Sequence, residues 1–162
     1  MPVAPASTLD DIEQALLLVT RRLVLPKLHE HLTSMAGIPF DRASYVVLAR
    51  IDEQAPVRPT DVARTLCVEP STATRKIQHL EGRGFIVRGP DPTDGRVSLV
   101  SLSPEGQEAL RRFRAARRRV LEAVLQPWDP PDRVRLASLL TRFAEDFVDY
   151  VESDRAGEEK AS

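Results

Sequence analysis

The sequence predicts a mainly α-helical chain with one small β-hairpin. Apolar residues recur at helical spacing along most of its 162 residues. The period drops to two only between residues 85 and 102. Prolines or aspartates stand ahead of the helical stretches and glycines behind several of them, where start and stop signals belong. Hydrophobic residues make up 42% of the chain but aromatics only 5%, so Leu, Val, Ile and Ala must fill the core. The length suits one domain.

Residues 1–8 read as a flexible tail. A first long helix is expected from about Leu9 to Met35, with Ile12, Leu16, Val19 and Leu23 on one face. Pro26 removes a backbone donor and clashes with the preceding turn, so a kink or break is expected there. Gly37 is the stop, with Pro39 beyond it. A second helix fits Arg42 to Gln54 behind the cap Asp41. A third fits Pro59 to Leu66 and a fourth Pro70 to Arg83, each with proline at the first position, where a missing N–H costs nothing. Gly84 ends the fourth. Phe85–Arg88 and Val97–Leu102 are strand-like, and Gly89–Arg96 between them is dense in turn residues, which makes a hairpin with a long tip. Ser103 and Pro104 restart helix to about Gln126, with Leu110, Phe113, Val120 and Val124 in register. Asp129 caps a last helix whose Leu136, Leu139, Leu140, Phe143, Phe147 and Val151 form one stripe. Residues 153–162 read as a second tail.

Three short helices and a hairpin thus fill residues 41–103. Only Cys67, Val68 and Glu69 separate the third helix from the fourth, and so short a connection is helix-turn-helix geometry, whose second helix enters the DNA major groove. With the hairpin as a wing, the region reads as a winged helix-turn-helix. Ala73, Ile77 and Leu80 should bury one side of the fourth helix. At about 100° per residue, Ser71, Arg75 and Gln78 then face outward, flanked by Thr72 and His79. Solvated helix faces usually carry Glu and Lys pairs; here small hydroxyls permit close approach, Arg75 reaches a guanine edge, and Lys76 and the hydroxyls suit phosphates. Arg96 on the hairpin tip fits a narrow minor groove, with Asp94 either orienting its guanidinium or merely capping the loop. The whole-chain charge of −1 is silent about nucleic acid. Residues 71–98 are nevertheless net basic and residues 129–159 net acidic, and DNA responds to the local field.

At these residues the chain resembles the MarR family of bacterial regulators. The resemblance is carried by Val62–Arg75, Leu80–Arg88, Asp91–Arg96 and Leu99–Gly106, in that order and spacing, and it extends over nearly the whole chain. It implies that Ser71, Thr72, Thr74 and Arg75 occupy recognition-helix contact positions and that Asp94 and Arg96 form the wing's Asp-x-Arg. Cys67 stands where the family often has Gly, Glu69 where Ser or Thr usually caps, and Gly95 where a second wing arginine is frequent. The resemblance also implies a repressor that releases DNA on binding a small aromatic or phenolic anion, with His29, Arg42 and Tyr45 as candidate walls, although Tyr45 is more often a core residue.

A homodimer on a palindromic operator is expected on two grounds. One reader helix makes few base contacts, and two copies about 34 Å apart read a palindrome. The flanking regions, 9–40 and 104–152, are amphipathic and too long for the winged core alone, so they read as dimerisation helices. The arginine run from Arg111 to Arg119 reads as a solvated face, partly neutralised by the acidic last helix or by Asp10, Asp11 and Glu13.

Other functions find little footing. Cys67, the single cysteine, excludes an internal disulfide framework and reads as a buried structural residue between Leu66 and Val68. His29 and His31 lie about 200° apart on a helix and cannot share a metal, and no Cys-x-x-Cys is present. No metal, cofactor or enzymatic chemistry is expected. The apolar runs Ala15–Thr20 and Tyr45–Ala49 fall short of the roughly 20 residues of a membrane span, and Met1–Ser7 lacks a signal pattern, so a cytoplasmic protein is expected. The rivals are a winged-helix protein-interaction module without DNA binding and, below it, a small enzyme.

Overall fold

A computed structural model describes residues 8–23, 25–94 and 97–159. The order is α1 (Thr8–Leu23), α2 (Pro26–Ala36), α3 (Arg42–Gln54), α4 (Pro59–Thr65), α5 (Pro70–Gly82), β1 (Ile86–Pro90), β2 (Ser98–Leu102), α6 (Pro104–Leu125) and α7 (Pro130–Glu159). The chain divides into two compact units, residues 1–118 and 119–162. Among the described residues no helix is long and apolar enough to cross a membrane.

The expected break at Pro26 is complete, leaving two helices. Leu25, held extended at φ −59°, ψ 128° as a residue before proline must be, precedes Pro26 at the first position of α2. At the other end of α2, Gly37 adopts the left-handed conformation (φ 60°, ψ 42°), and the Gly37 and Ile38 amides donate to the Ser34 and Thr33 carbonyls. The same closure recurs twice. Gly84 (φ 78°) ends α5, with Gly84 and Phe85 donating to Glu81 and Leu80. Cys67 (φ 51°) ends α4, with Cys67 and Val68 donating to Arg64 and Ala63.

That geometry overturns the expectation of a buried cysteine. A left-handed residue that closes a helix turns its side chain away from the packed face, and Cys67 is exposed. Two strand and helix limits also move. Phe85 is consumed in closing α5, so β1 starts at Ile86 and runs on through Gly89 and Pro90. The tail expected from residue 153 is helical as far as Glu159, continuing α7 without a proline to stop it although Ser153, Asp154 and Gly157 are weak helix formers. Most of the expected N-terminal tail, residues 1–7, and residues 160–162 lie outside the described residues.

The core of the first unit is built by α3, α4, α5, β2 and α6. Leu48, Ile51, Val62, Ile77, Leu80, Val100 and Leu110 are its fully buried side chains. β1 and β2 pair antiparallel from Ile86↔Leu102 to Pro90↔Ser98. Val57 joins β2 as a one-residue bridge, exchanging backbone hydrogen bonds of 3.1 and 2.9 Å with Val100. Ser103 joins hairpin to helix: its hydroxyl accepts from Gly106 N at 2.9 Å, capping α6, and donates to the Gly84 carbonyl. A Cβ on Gly106 would lie 2.1 Å from the Phe85 carbonyl oxygen, so only glycine permits this approach.

The second unit holds the end of α6 and α7. Arg133 donates to the carbonyls of Trp128 (3.0 Å) and Gln126 (2.9 Å), satisfying groups that the end of α6 leaves open.

Candidate nucleic-acid interface

The presentation of α5 follows from its neighbours. Asp41 caps α3 by accepting from Ser44 N at 2.7 Å, which sets the start of the helix that α5 packs against. Ala73, Ile77 and Leu80, 2% exposed or less, hold α5 down on α3 and α4. Ser71, Thr72, Arg75, Gln78 and His79 are exposed on the remaining face, and Thr74 is half-buried at its edge. Thr72, Arg75, Lys76 and His79 line a shallow cleft of about 300 Å³. Glu69 makes no side-chain cap to α5, as its departure from Ser or Thr foretold. The first turn of α5 carries no acid after the N-cap residue Glu69.

Lys76 stands differently from the others. Its ammonium donates to both carboxylate oxygens of Asp41, at 3.0 and 3.3 Å, and the side chain is 27% exposed. Hydrogen bonding from Ser44 first, and the Lys76 ammonium after it, lower the Asp41 carboxyl to about 2. Lys76 therefore ties α5 to the start of α3.

The wing is tied down at its base. Asp91 accepts from Thr93 N (2.9 Å) and Thr93 Oγ1 (2.6 Å), and its own amide donates to Val97 O at 2.9 Å. Arg58 donates to Asp91 Oδ2 at 3.3 Å. Asp94 is exposed, and its carbonyl accepts from Val97 N at 2.9 Å. Arg96, and Gly95 before it, lie outside the described residues. The Arg58–Asp91 pair was missed in the sequence. The Asx turn at Asp91-Pro-Thr93 was readable there, but its partner 33 residues away carried no local signal.

The expected effector residues do converge in part. His29 on α2 and Tyr45 on α3 lie 6.5 Å apart between ring centroids, and both pack on Phe113 of α6, at 5.4 and 4.4 Å. His29 Nε2 lies 3.2 Å from the Phe40 carbonyl, so that nitrogen carries the proton. Arg117 donates to the Tyr45 hydroxyl at 3.0 Å. Tyr45 is half-buried rather than core, and Arg42 is exposed one turn before it on α3.

The arginine run of α6 is more than a solvated face. Arg112 donates to the Gly37 carbonyl (3.2 Å), Arg114 to Asp52 (2.7 Å) and Arg117 to Tyr45, while Arg111 pairs with Glu108 on its own helix. Three of these arginines brace α6 against α3 and the end of α2.

Comparison with known proteins agrees with this geometry. The MarR family model matches residues 40–98. An HTH-type transcriptional regulator of Bacillus subtilis, YxaD, is 32% identical over 109 residues, 67% of this chain and 76% of that one. The crystal structure of RV1404 from Mycobacterium tuberculosis superposes with a TM-score of 0.73 at 26% identity, covering 89% of this chain and 97% of the other. FabT of Streptococcus pneumoniae, solved in complex with DNA, has the same fold, with a TM-score of 0.67 at 19% identity over 86% of this chain and 96% of its own. The hairpin wing, the three helices before it and the relatives that share them place the chain in the MarR family of helix-turn-helix transcriptional regulators.

Proposed function

We propose that the chain is a cytoplasmic, ligand-responsive repressor that binds a palindromic operator as a homodimer. The observation that carries this reading is the outer face of α5: exposed, polar, basic and left uncovered by the rest of its own unit. Arg75 reads a base edge in the major groove. Ser71, Thr72, Thr74, Gln78 and His79 supply hydroxyl, amide and imidazole groups to bases and phosphates around it. Lys76 reaches a phosphate only with the donor that Asp41 leaves free. Asp94 and Arg96 serve the wing in the minor groove. FabT, which shares this fold, was solved in complex with DNA, and this supports DNA as the partner.

Dimerisation is supported by apolar side chains left open on α1 and α7. Ile12, Leu16 and Val19 on α1, and Leu140, Phe143 and Phe147 on α7, are each 39% exposed or more. Contiguous exposed apolar faces mark association surfaces. The open faces within regions 9–40 and 104–152 are accordingly assigned to the dimer interface, while Leu32, Leu110 and Phe113 in those regions are already buried in the first unit. A small aromatic or phenolic anion is placed against His29, Tyr45 and Arg42, where it would favour a spacing of the two reader helices that misfits the operator. A transcriptional regulator needs no catalytic chemistry, and none is assigned.

Selection of bound fragments from a random duplex pool tests the proposal. A recovered palindrome, bound with an affinity that falls steeply as salt rises, is the expected result. No binding to any duplex at low ionic strength would leave the winged-helix protein-interaction module in its place.

A further inference from the structure

The wing and the reader helix must meet DNA together, yet they are separate projections of the chain. The segment before α4 joins them. Val57 is bridged to Val100 in β2, so this segment is already an extra edge of the wing. Arg58 follows, and its carbonyl accepts from Asp61 N (3.0 Å) and Val62 N (3.2 Å), starting α4. Its guanidinium crosses to Asp91 at the base of the wing tip. One residue therefore holds the first helix of the helix-turn-helix by its backbone and the wing by its side chain.

The pair is better built than an ordinary surface contact. Asp91 is only 11% exposed although it sits on a projecting hairpin, while Arg58 is 50% exposed. Thr93 orients Asp91 with two hydrogen bonds to Oδ1, which leaves Oδ2 for Arg58. The nearest competing acid on α4, Asp61, is engaged by Arg64 at 3.0 Å. The Asp91 carboxyl is lowered to about 2, by Thr93 first and Arg58 after it, so it is charged throughout the physiological range.

We infer that Arg58 is a positioning residue for DNA recognition: through Asp91 it sets the angle at which the wing approaches the minor groove while the reader helix occupies the major groove. Arg58 does this without touching the bases. The inference rests on the DNA-binding reading above, and it adds a residue outside the reader helix and the wing's Asp94 and Arg96.

The test uses the full-length chain and the duplex it selects from a random pool. Arg58→Ala breaks the strut from one side. Asp91→Asn breaks it from the other and keeps an oxygen for Thr93. Each is expected to weaken binding by about fivefold, the upper range for a partly exposed ion pair, and the double variant is expected to be no weaker than either. Hydroxyl-radical footprints should lose protection at the outer minor-groove positions and keep it at the centre. Arg58→Lys should restore part of both. Without DNA, amide exchange at Asp91 and Val97 should quicken in both single variants while α5 stays protected, which separates a loosened wing from an unfolded reader. The inference is overturned if Arg58→Ala weakens binding and Asp91→Asn does not, since Arg58 would then be a phosphate contact. Footprints that fade evenly at centre and edge, or unchanged binding in both variants, also overturn it. A wild-type chain that selects no duplex removes the underlying reading instead, and this inference with it.

Discussion

Leu110, Phe113 and Ala116 in the first half of α6 are 3% exposed or less, whereas Leu121 and Val124 in its second half are 52% and 60% exposed. The two halves belong to one helix and share one apolar stripe. The reader core and α7 repeat the contrast. Leu48, Ile51, Ile77 and Leu80 are fully buried, but Leu139, Leu140, Phe143 and Phe147 are 42–58% exposed. Residue type does not separate these groups. Burial follows from whether another element answers the stripe: α3, α4 and the hairpin close over α5, and the winged core needs nothing further. The outer helices carry comparable apolar surface that is open to a second chain. One part of the molecule is a finished fold, and the other leaves its apolar stripe open, which the proposed dimer would cover.

The largest expected effects set these regions directly against each other. Leu80→Ala should cost about 2–5 kcal/mol, read as a lower urea midpoint, because the cavity opens inside a closed core. Phe147→Asp should leave that midpoint near the wild-type value for the reader and weaken self-association by about 2 kcal/mol or more in sedimentation velocity, as loss of an interface anchor does. If Phe147→Asp unfolds the chain as Leu80→Ala does, without a change in association state, the contrast between finished fold and open interface is broken.

A smaller pair sharpens the account of the reader's joints. Gly106→Ala forces a Cβ against the Phe85 carbonyl and should cost about 1–3 kcal/mol, the range for overpacking. Gly82→Ala, at the end of α5 where a Cβ meets nothing within 4 Å, should be neutral or stabilise by about 0.5 kcal/mol. Equal thermal shifts for the two glycines would contradict the close approach at Ser103–Gly106.

The last effect concerns Asp41. Asp41→Ala should cost about 1 kcal/mol at neutral pH through loss of the α3 cap. The folded carboxyl titrates at about 2, below its ordinary 3.8, so its contribution is complete above pH 3.8 and is lost as pH falls through about 2. The stability difference between wild type and Asp41→Ala should therefore be flat from pH 7 to about 4 and shrink below it. A difference that grows on acidification would contradict the assignment.

The helix limits were legible because their signals are local. Pro26, Pro59, Pro70 and Pro104 each stand at a helix start, and Gly37 and Gly84 each take the left-handed turn that closes one. The buried side of α5 was legible from its period. What the sequence hid has two physical causes. The first is backbone geometry borne by an unexpected residue: Cys67 does a glycine's work, as its place at a position where the family often has Gly signalled, but its neighbours Leu66 and Val68 made it look like core. The second is pairing over distance. Lys76 with Asp41, Arg58 with Asp91 and Arg114 with Asp52 join residues 33 to 62 apart, and no local pattern distinguishes such arginines and lysines from solvated ones. For the proposed DNA face, the sequence identified the residues on the outside of α5, while the fold added what holds that face in place.

The claim that the outer face of α5 reads bases is tested most directly by guanine-methylation interference on the selected duplex, comparing wild type with Arg75→Ala. A methyl group on guanine N7 blocks the acceptor that an arginine uses. Interference at a guanine in each half-site for wild type, absent for Arg75→Ala, is the predicted result. The same interference pattern for both proteins would show that Arg75 reads no guanine, and the account of this face would fail.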